Sequence, residues 1–280
     1  MNKIKATYVS IFLTVLTLIT GYAIYDFMTN PIAWGGVLLT TLPLLLMLVR
    51  AFLLSNLART SEKLPVFTWL GVVGIVVACY GSMTVSMPIP VIAAVVAFIG
   101  FQFYNRWYSN LDRTESELLK EGQQLPEFTV YQTDGREFSS KELNGSPALI
   151  LFYRGNWCPL CMAQIREIAA QYKEMADKGI KIALISPQPE GHSKKLSDKF
   201  DVPFLFLVDK NNAAAEKLNI AMKDGLPLGM EVLGYDGDTV LPTALFINAE
   251  GKIVYSDQTS NYRVRPEPEE YLRVAEANGL

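Results

Sequence analysis

The chain has 280 residues, of which 50% are hydrophobic and 19% are charged, and its formal net charge at pH 7 is −3. So high an apolar content excludes a disordered chain, and the charged fraction lies below the roughly 25% typical of soluble proteins. Residues 1–110 carry eight charged side chains and a net charge of +4, whereas residues 111–280 carry the other 45 and a net charge of −7. This division excludes a single soluble domain of uniform composition. The acidic second part also argues against a nucleic-acid partner, which would require a basic surface.

Three uncharged runs in the first part predict a transmembrane domain of four spans over residues 1–107. Runs 6–25 and 27–49 each suit one crossing of the bilayer, which takes roughly 20 apolar residues. Run 64–105 is twice as long, and the prolines at 88 and 90 divide it into two spans. A cleaved signal peptide is the alternative for the first run, whose apolar core exceeds the usual length of about 7–15 residues. The helices are expected near residues 7–27, 32–54, 66–86 and 89–107.

The basic residues of the loops predict the orientation of these spans. All of them fall on one side of the predicted bilayer: Lys3, Lys5, Arg50, Arg59, Lys63, Arg106 and Arg113. Because Lys and Arg in short loops favour the cytoplasmic side, the N- and C-termini are both expected in the cytoplasm. The sequence thus predicts an integral protein of a bacterial-type inner membrane, with the lipid bilayer as a partner.

The second part alternates strands and helices. Residues 108–124 are interpreted as a linker helix, and residues 125–280 as an α/β domain. Short apolar runs predict strands and amphipathic segments predict helices. This alternation, which ends in a hairpin, is typical of a three-layer α/β fold. Strands are expected at 128–131, 148–153, 180–186, 204–208, 244–248 and 252–255, and helices at 159–178, 192–200, 212–218 and 267–277.

The sequence Cys158-Pro159-Leu160-Cys161 directly follows a buried strand and begins a helix. The free N–H groups and the dipole of a helix N-terminus favour a thiolate, so Cys158 is expected to be the nucleophile. Cys161 lies one turn further along the same face and can close a small disulfide. Pro159 suits the first helical turn, which can dispense with its N–H, and Trp157 can shield one side of the pair.

Other interpretations of the polar residues were weighed. Structural zinc usually takes four ligands, and the chain offers only Cys79 and His192 beyond the pair, so no metal site is predicted. No cofactor is expected either, because no nucleotide or metal motif is visible. Arg154 is the nearest cation to the pair and can stabilise a thiolate or bind an anionic substrate group. A surface or capping role for Arg154 is the alternative, and His192 is interpreted as a surface residue at a helix start.

Residues 124–275 resemble the thioredoxin superfamily, and more closely its peroxiredoxin-like branch, the alkyl hydroperoxide reductase/thiol-specific antioxidant (AhpC/TSA) group. The resemblance implies a thioredoxin-like fold with a central mixed sheet and an antioxidant oxidoreductase that acts on a peroxide. It also implies that an external thiol reductant restores the dithiol. The segments that carry it are 125–128, 153–161, 185–188, 208–211, 241–244 and 262–269.

Two departures from that pattern leave the substrate open. Gly155 stands where a typical peroxiredoxin has the Thr or Ser that binds peroxide, and Pro242 stands near its usual Arg. Leu241-Pro242-Thr243 instead resembles the cis-proline loop of thioredoxins, which faces the CxxC and binds a disulfide substrate. The resemblance therefore implies that Pro242 and Thr243 support substrate binding, with an ordinary strand-start proline as the alternative. Phe152 replaces the buried Asp of thioredoxins, so proton handling must differ.

These observations predict a membrane-anchored thiol oxidoreductase in which Cys158 attacks a peroxide, or a protein or small-molecule disulfide, and Cys161 resolves the product. A disulfide reductase without peroxidase activity and a membrane-bound redox sensor or scaffold remain alternatives. Electron transfer across the bilayer is disfavoured, because Cys79 is the sole cysteine of the spans. Small residues of the third span suggest close helix packing, within one chain or in a homo-oligomer. They are Gly71, Gly74, Ala78 and Gly81.

Overall fold

In a computed structural model of the chain, four helices long and apolar enough to cross a membrane precede an α/β domain. The structure describes residues 2–54, 56–85, 87–200 and 202–279. The four predicted spans are confirmed within these ranges, and residue 86, the predicted end of the third, lies outside them. The helices are α1 (Asn2–Tyr25), α2 (Pro31–Leu54), α3 (Pro65–Val85) and α4 (Ile89–Phe103), and α4 continues as a π-helix over Tyr104–Tyr108.

Helices α2 and α3 approach closely because small residues face each other. A Cβ atom added at Gly36 would lie 2.4 Å from the backbone nitrogen of Ala78, and one at Gly81 would lie 2.4 Å from that of Ala33. Gly71 instead faces the ring of Phe98 on α4. The small-residue face predicted on α3 therefore packs against helices of the same chain, where dispersion between close backbones stabilises the bundle.

The α/β domain contains a mixed sheet of seven strands in the order β2-β1-β5-β4-β3-β8-β9. Strands β3, β4 and β5 run parallel, and the other pairings are antiparallel. Every residue of the central strand β3 is buried, as expected when both faces of a sheet are covered. The strands are β1 (Thr129–Gln132), β2 (Glu137–Ser139), β3 (Ala148–Phe152), β4 (Lys181–Ser186), β5 (Leu205–Val208), β6 (Ala221–Met222), β7 (Thr239–Val240), β8 (Thr243–Ile247) and β9 (Ile253–Asp257).

The helices of this domain follow the predicted alternation, so the thioredoxin-like fold with a central mixed sheet is confirmed. One difference is that the helix predicted over 159–178 divides at Gln171, whose φ and ψ of −98° and 8° depart from helical values. The short strands β2, β6 and β7 have too few residues to show an alternating pattern. The helices are α5 (Pro159–Ala170), α6 (Tyr172–Asp177), α7 (Glu190–Lys199), α8 (Ala213–Lys217) and α9 (Pro268–Ala277).

The predicted linker helix over 108–124 is wrong. Past the π-helix, the segment is irregular apart from one short 3₁₀ turn at Glu117–Leu119. Its backbone bonds to the α/β domain instead of to itself: the Leu111 N–H donates to the Ser260 carbonyl at 2.6 Å, and the Ser116 N–H to the Gln258 side chain at 2.7 Å. Because these partners satisfy the backbone, the segment needs no helix and forms an edge of the folded domain.

The two domains are joined by buried polar contacts. Arg263, which is 1% exposed, donates to the hydroxyl of Thr60 at 2.8 Å and to the side-chain oxygen of Asn105 at 2.7 Å. The hydroxyls of Tyr104 and Tyr262 lie 2.8 Å apart. These contacts fix the position of the α/β domain against the ends of α2 and α4, and with it the position of the cysteine pair.

Candidate active site

The CxxC sequence occupies the turn from β3 into α5. Cys158 is the N-cap residue of α5 and Pro159 is its first residue, as predicted from the sequence. The Met162 N–H donates to the Cys158 carbonyl at 3.1 Å and so begins the helical hydrogen-bond pattern. Both sulfurs are buried: Cys158 is 2% exposed and Cys161 is fully buried.

Gly155 has a positive φ of +143°, which L side chains rarely adopt. A Cβ atom at this position would lie 2.8 Å from the Trp157 ring nitrogen. The absence of the peroxide-binding Thr or Ser expected of a typical peroxiredoxin thus has a structural reason. The indole of Trp157 occupies the space that such a side chain would need.

A hydrogen-bond network holds the loop before Cys158. The Gln188 side-chain amide donates to the Tyr153 hydroxyl, the Asn156 carbonyl oxygen and the Ser193 hydroxyl, each at 3.0 Å. Its own oxygen accepts from the Asn156 backbone N–H at 2.8 Å. Sequence reasoning quoted Gln188 within a family-like segment without assigning it a role. Four bonds from one buried side chain fix the β3–α5 loop against the start of α7.

The two thiols of the pair have different surroundings. Burial opposes ionisation of Cys161, but three groups outweigh it and lower the pKa of this thiol: the Cys158 thiol, the Arg265 guanidinium and the Arg154 backbone N–H. The Arg265 nitrogen lies 3.5 Å from the Cys161 sulfur. The hydrogen bond to Cys161, together with burial, raises the pKa of Cys158. The contact with Arg265 therefore favours the charged form of Cys161, and the thiolate expected at Cys158 from the helix dipole stays a prediction.

Arg154 lies beside the pair and is 5% exposed, which removes the alternative of a surface residue. Its guanidinium stacks on the Trp157 ring, 4.6 Å from the centroid, and donates to the Gly225 carbonyl at 2.7 Å. The Arg154 Nε atom has no hydrogen-bond partner among the described residues. The buried Nε N–H of Arg154 can therefore donate a hydrogen bond to an acceptor that binds near the cysteines.

Pro242 and Thr243 lie at the start of β8, where Thr243 pairs with Phe152 of β3. The peptide bond before Pro242 is trans. The carbonyl of Pro242 accepts a hydrogen bond from Arg113 at 2.8 Å, and the Thr243 hydroxyl accepts another from the same guanidinium at 2.9 Å. Since Arg113 already occupies these groups, their contact with substrate stays a prediction from the resemblance.

The remaining candidate residues lie apart from the pair. His192 belongs to α7, where its ring stacks on Tyr235 with 4.5 Å between centroids. Cys79 lies partly buried in α3. Arg265 is the functional residue that sequence reasoning did not single out. It falls within the family-like segment 262–269, and this was the only signal that could have indicated it.

Cys158 lines an apolar cleft between the two domains, called here the interdomain cleft. One wall is formed by residues of α1 and α2, the other by the β3–α5 turn and the loop 226–234. Its volume is about 130 Å³. Arg154, Trp157 and Leu160 surround Cys158 in the wall.

The chain is similar to known redox proteins. The sequence profile of the AhpC/TSA family matches residues 122–256. The thiol-disulfide oxidoreductase ResA of Bacillus thuringiensis subsp. konkukian is 23% identical over 176 residues, which are 62% of this chain and 87% of ResA. The chloroplastic peroxiredoxin Q of Populus jackii is 27% identical over 104 residues, which are 37% of this chain and 49% of that protein. The crystal structure of peroxidoxin BcpB from Mycobacterium tuberculosis matches with a TM-score of 0.46 and 19% identity, over 57% of this chain and 97% of that one. By its sequence, the segment 122–256 thus matches an AhpC/TSA redoxin domain, which in this chain follows four apolar helices.

Proposed function

We propose that the protein is a membrane-bound thiol oxidoreductase that reduces a peroxide with Cys158 and Cys161. The observation that carries this proposal is the asymmetry of the pair: Cys158 lines the interdomain cleft, while Cys161 lies behind it against Arg265. The AhpC/TSA match and the relatives, which are thiol-disulfide oxidoreductases and peroxiredoxins, support an oxidoreductase.

In the first step, the sulfur of Cys158 attacks the terminal oxygen of a hydroperoxide. The Cys158 proton passes to the Cys161 thiolate along the existing hydrogen bond, so that Cys161 acts as the base. The O–O bond breaks, Cys158 becomes a sulfenic acid, and the alkoxide takes the proton from Cys161 to give the alcohol, which leaves Cys161 as a thiolate again. Arg154 lines the cleft with Cys158, and its Nε N–H has no partner among the described residues, so we assign it to hold the departing oxygen.

In the second step, the Cys161 thiolate attacks the sulfenic sulfur, a disulfide forms, and hydroxide leaves as water after protonation. The two steps together consume one thiol, one thiolate, one hydroperoxide and one proton, and they yield one disulfide, one alcohol and one water. An external dithiol then restores the pair by thiol–disulfide exchange. Arg265 favours the thiolate form of Cys161 at both stages.

Disulfide reduction without peroxidase activity is the second candidate. The similarity to ResA supports it, as do Gly155 and Pro242 in place of peroxiredoxin residues. The burial of Cys158, which is only 2% exposed, favours a hydroperoxide group over a protein disulfide, because a folded protein partner needs an accessible sulfur.

The proposal places the redoxin domain on the cytoplasmic side of a bacterial-type inner membrane. The support is the sequence pattern in which the basic loop residues lie on the side of both termini. On that side, cellular thiol reductants are available to restore the dithiol.

The proposed function is tested by single-turnover reaction of the full-length reduced protein with hydrogen peroxide and, separately, with oxidised glutathione. Mass spectrometry of the Cys161→Ser variant identifies the product on Cys158: a gain of one oxygen indicates peroxide chemistry, and a glutathione adduct indicates disulfide exchange. Cys79→Ser is the matched control and should react as the wild type does. Reaction with glutathione disulfide and none with peroxide would replace the first candidate by the second.

A further inference from the structure

The interdomain cleft has walls from both domains. The membrane helices contribute apolar residues that include Val9 and Leu13 of α1 and Leu48 of α2, and the redoxin domain contributes Trp157 and Leu160. A cleft with such walls offers few hydrogen bonds to a polar molecule and accepts an alkyl chain without leaving polar groups unpaired.

The residues of α1 that line the cleft lie well inside this span. Helix α1 begins at Asn2. With a rise of about 1.5 Å per residue, Val9 and Leu13 lie about 10 and 16 Å along the helix from that end. Counted from Asn2, these residues are two to three turns inside the span, at a depth where a bilayer supplies acyl chains.

Exposed apolar side chains surround the opening of the cleft. The loop 226–234 rests on α1, since the Ser10 hydroxyl donates to the Leu228 carbonyl at 3.0 Å. Leu228 of this loop lines the cleft and is 55% exposed. Phe52 at the end of α2 is 49% exposed. Apolar side chains this exposed indicate that the opening faces lipid instead of water.

The lining of the cleft also offers a partner for an oxygen-bearing group. Cys158 lines the cleft together with Arg154, whose Nε N–H has no acceptor among the described residues. A buried donor without a partner costs free energy that a bound oxygen atom would recover. The cleft is thus mostly apolar, and the other polar residues of its lining are Ser10, Tyr104, Tyr108 and Tyr262.

We propose that the interdomain cleft binds the acyl chain of an oxidised membrane phospholipid and brings its hydroperoxide group to Cys158 from within the bilayer. The membrane helices then form half of the substrate site and are more than an anchor. This inference rests on the proposed function and deepens it. The reaction is the one balanced above, with the phospholipid hydroperoxide reduced to the phospholipid alcohol and the cysteine pair oxidised to a disulfide.

The test uses full-length reduced protein in phosphatidylcholine nanodiscs, in single turnover, so that no added reductant is needed. One arm contains phosphatidylcholine hydroperoxide in the same nanodisc, and the other receives hydrogen peroxide from the water. Disulfide formation is followed by the quench of Trp fluorescence and by mass spectrometry. The inference predicts that the phospholipid hydroperoxide reacts at least as fast as hydrogen peroxide at equal nominal concentration.

Two pairs of variants separate the cleft from the chemistry. Leu48→Trp narrows the cleft, and Leu46→Trp places the same ring on an exposed face of the same helix. Leu228→Trp and Val232→Trp form a second pair on the loop, where a larger side chain is tolerated without disturbing a core. We expect the cleft variants to slow the phospholipid hydroperoxide by about tenfold or more, as steric changes in apolar pockets do, and the controls to match the wild type. Hydrogen peroxide should react with the two control variants at the wild-type rate, and the cleft variants should slow hydrogen peroxide less than they slow the phospholipid hydroperoxide.

The outcomes distinguish the two proposals. If the cleft variants slow the reactions of both peroxides equally, or slow neither reaction, the proposal that the cleft binds lipid is wrong. A wild-type protein that reduces hydrogen peroxide but not the phospholipid hydroperoxide overturns the inference and leaves the proposed function standing. A wild-type protein that reduces neither overturns the proposed function itself.

Discussion

The two sides of the cysteine pair contrast sharply. On the side of Cys158 lies an apolar cleft with one wall from membrane helices. On the side of Cys161 lies a polar interior in which Arg265 bonds to both the sulfur and the Gln164 side chain. The contrast teaches that access and charge are divided between the two sulfurs. In the mechanism that we propose, Cys158 meets the substrate, and Cys161 carries the negative charge that activates Cys158.

Removing either sulfur should have the largest effect on hydroperoxide consumption, and it tests the contrast between the two cysteines most strongly. Cys158→Ser should abolish hydroperoxide consumption, because a hydroxyl at the cleft does not attack the O–O bond. Cys161→Ser should still react once, more slowly, and retain the sulfenic acid, since its base and resolving thiol are both gone. Stopped-flow consumption of hydroperoxide measures both effects. A Cys158→Ser protein that consumes hydroperoxide at the wild-type rate would show that the roles are assigned wrongly.

Removing the charge at Arg265 should have the next largest effect. Arg265 lowers the pKa of Cys161, so the wild-type pair is ionised, and reactive, below the ordinary cysteine pKa of about 8.5. Reactivity is lost as the pH falls through the lowered pKa. Arg265→Met should move this loss to higher pH, with about a tenfold lower rate at neutral pH for each unit of pKa increase. The pH profile of single-turnover rates measures the shift.

Two controls accompany the Arg265 variant. Arg273→Met removes an exposed arginine of α9 and should leave the profile in place. Arg265→Lys keeps the charge and should restore much of the low-pH activity, although it lacks the planar fork that contacts two partners. If the pH profile of the Arg265→Met variant matches that of the wild type, a group other than Arg265 stabilises the thiolate.

A methyl group at Gly155 tests how the cleft wall is built. Gly155→Ala places a Cβ atom 2.8 Å from the Trp157 ring nitrogen at a φ that disfavours side chains. We expect a loss of stability of about 1–3 kcal/mol and a displaced Trp157 ring, which moves away from Arg154. Thermal unfolding and Trp fluorescence check both effects. Gly135→Ala, also at positive φ but with no neighbouring atom within 4 Å, should leave Trp157 fluorescence unchanged.

The smallest expected effect is that of Cys79→Ser. Cys79 lies in α3, and the account gives it no part in electron transfer. The variant should retain the wild-type single-turnover rate and the same number of oxidised thiols, counted by mass spectrometry. A loss of activity would revive the hypothesis of transfer across the bilayer.

Local sequence patterns were enough to predict the four membrane helices, the position of the cysteine pair and the close packing of α3. The uncharged runs predicted the four membrane helices because a bilayer imposes a length and an apolar composition on each span. The context of Cys158 after a buried strand predicted a redox pair at the start of α5. The small residues of α3 indicated close packing, although the sequence could not show that α2 and α4 of the same chain supply the partners.

What could not be predicted depends on contacts between distant residues. Arg265 lies 104 residues from Cys161, so no spacing rule connects them, and the helix dipole at Cys158 gives no sign of a cation beside Cys161. The segment 108–124 has helix-forming composition, but its backbone finds partners at Gln258 and Ser260. The lining of the interdomain cleft comes from six separate stretches of the chain, and no local pattern predicts that they lie together.

The division of roles between the two sulfurs is tested most directly by alkylation of the reduced full-length protein in nanodiscs. A maleimide with a long alkyl chain, which partitions into the bilayer, is compared with a charged, water-soluble maleimide, and peptide mapping identifies the labelled cysteine. The account predicts that the alkyl maleimide labels Cys158 first and much faster than the charged reagent does, while Cys161 stays unlabelled. Labelling of Cys161 first, or equal rates for the two reagents at Cys158, would contradict it.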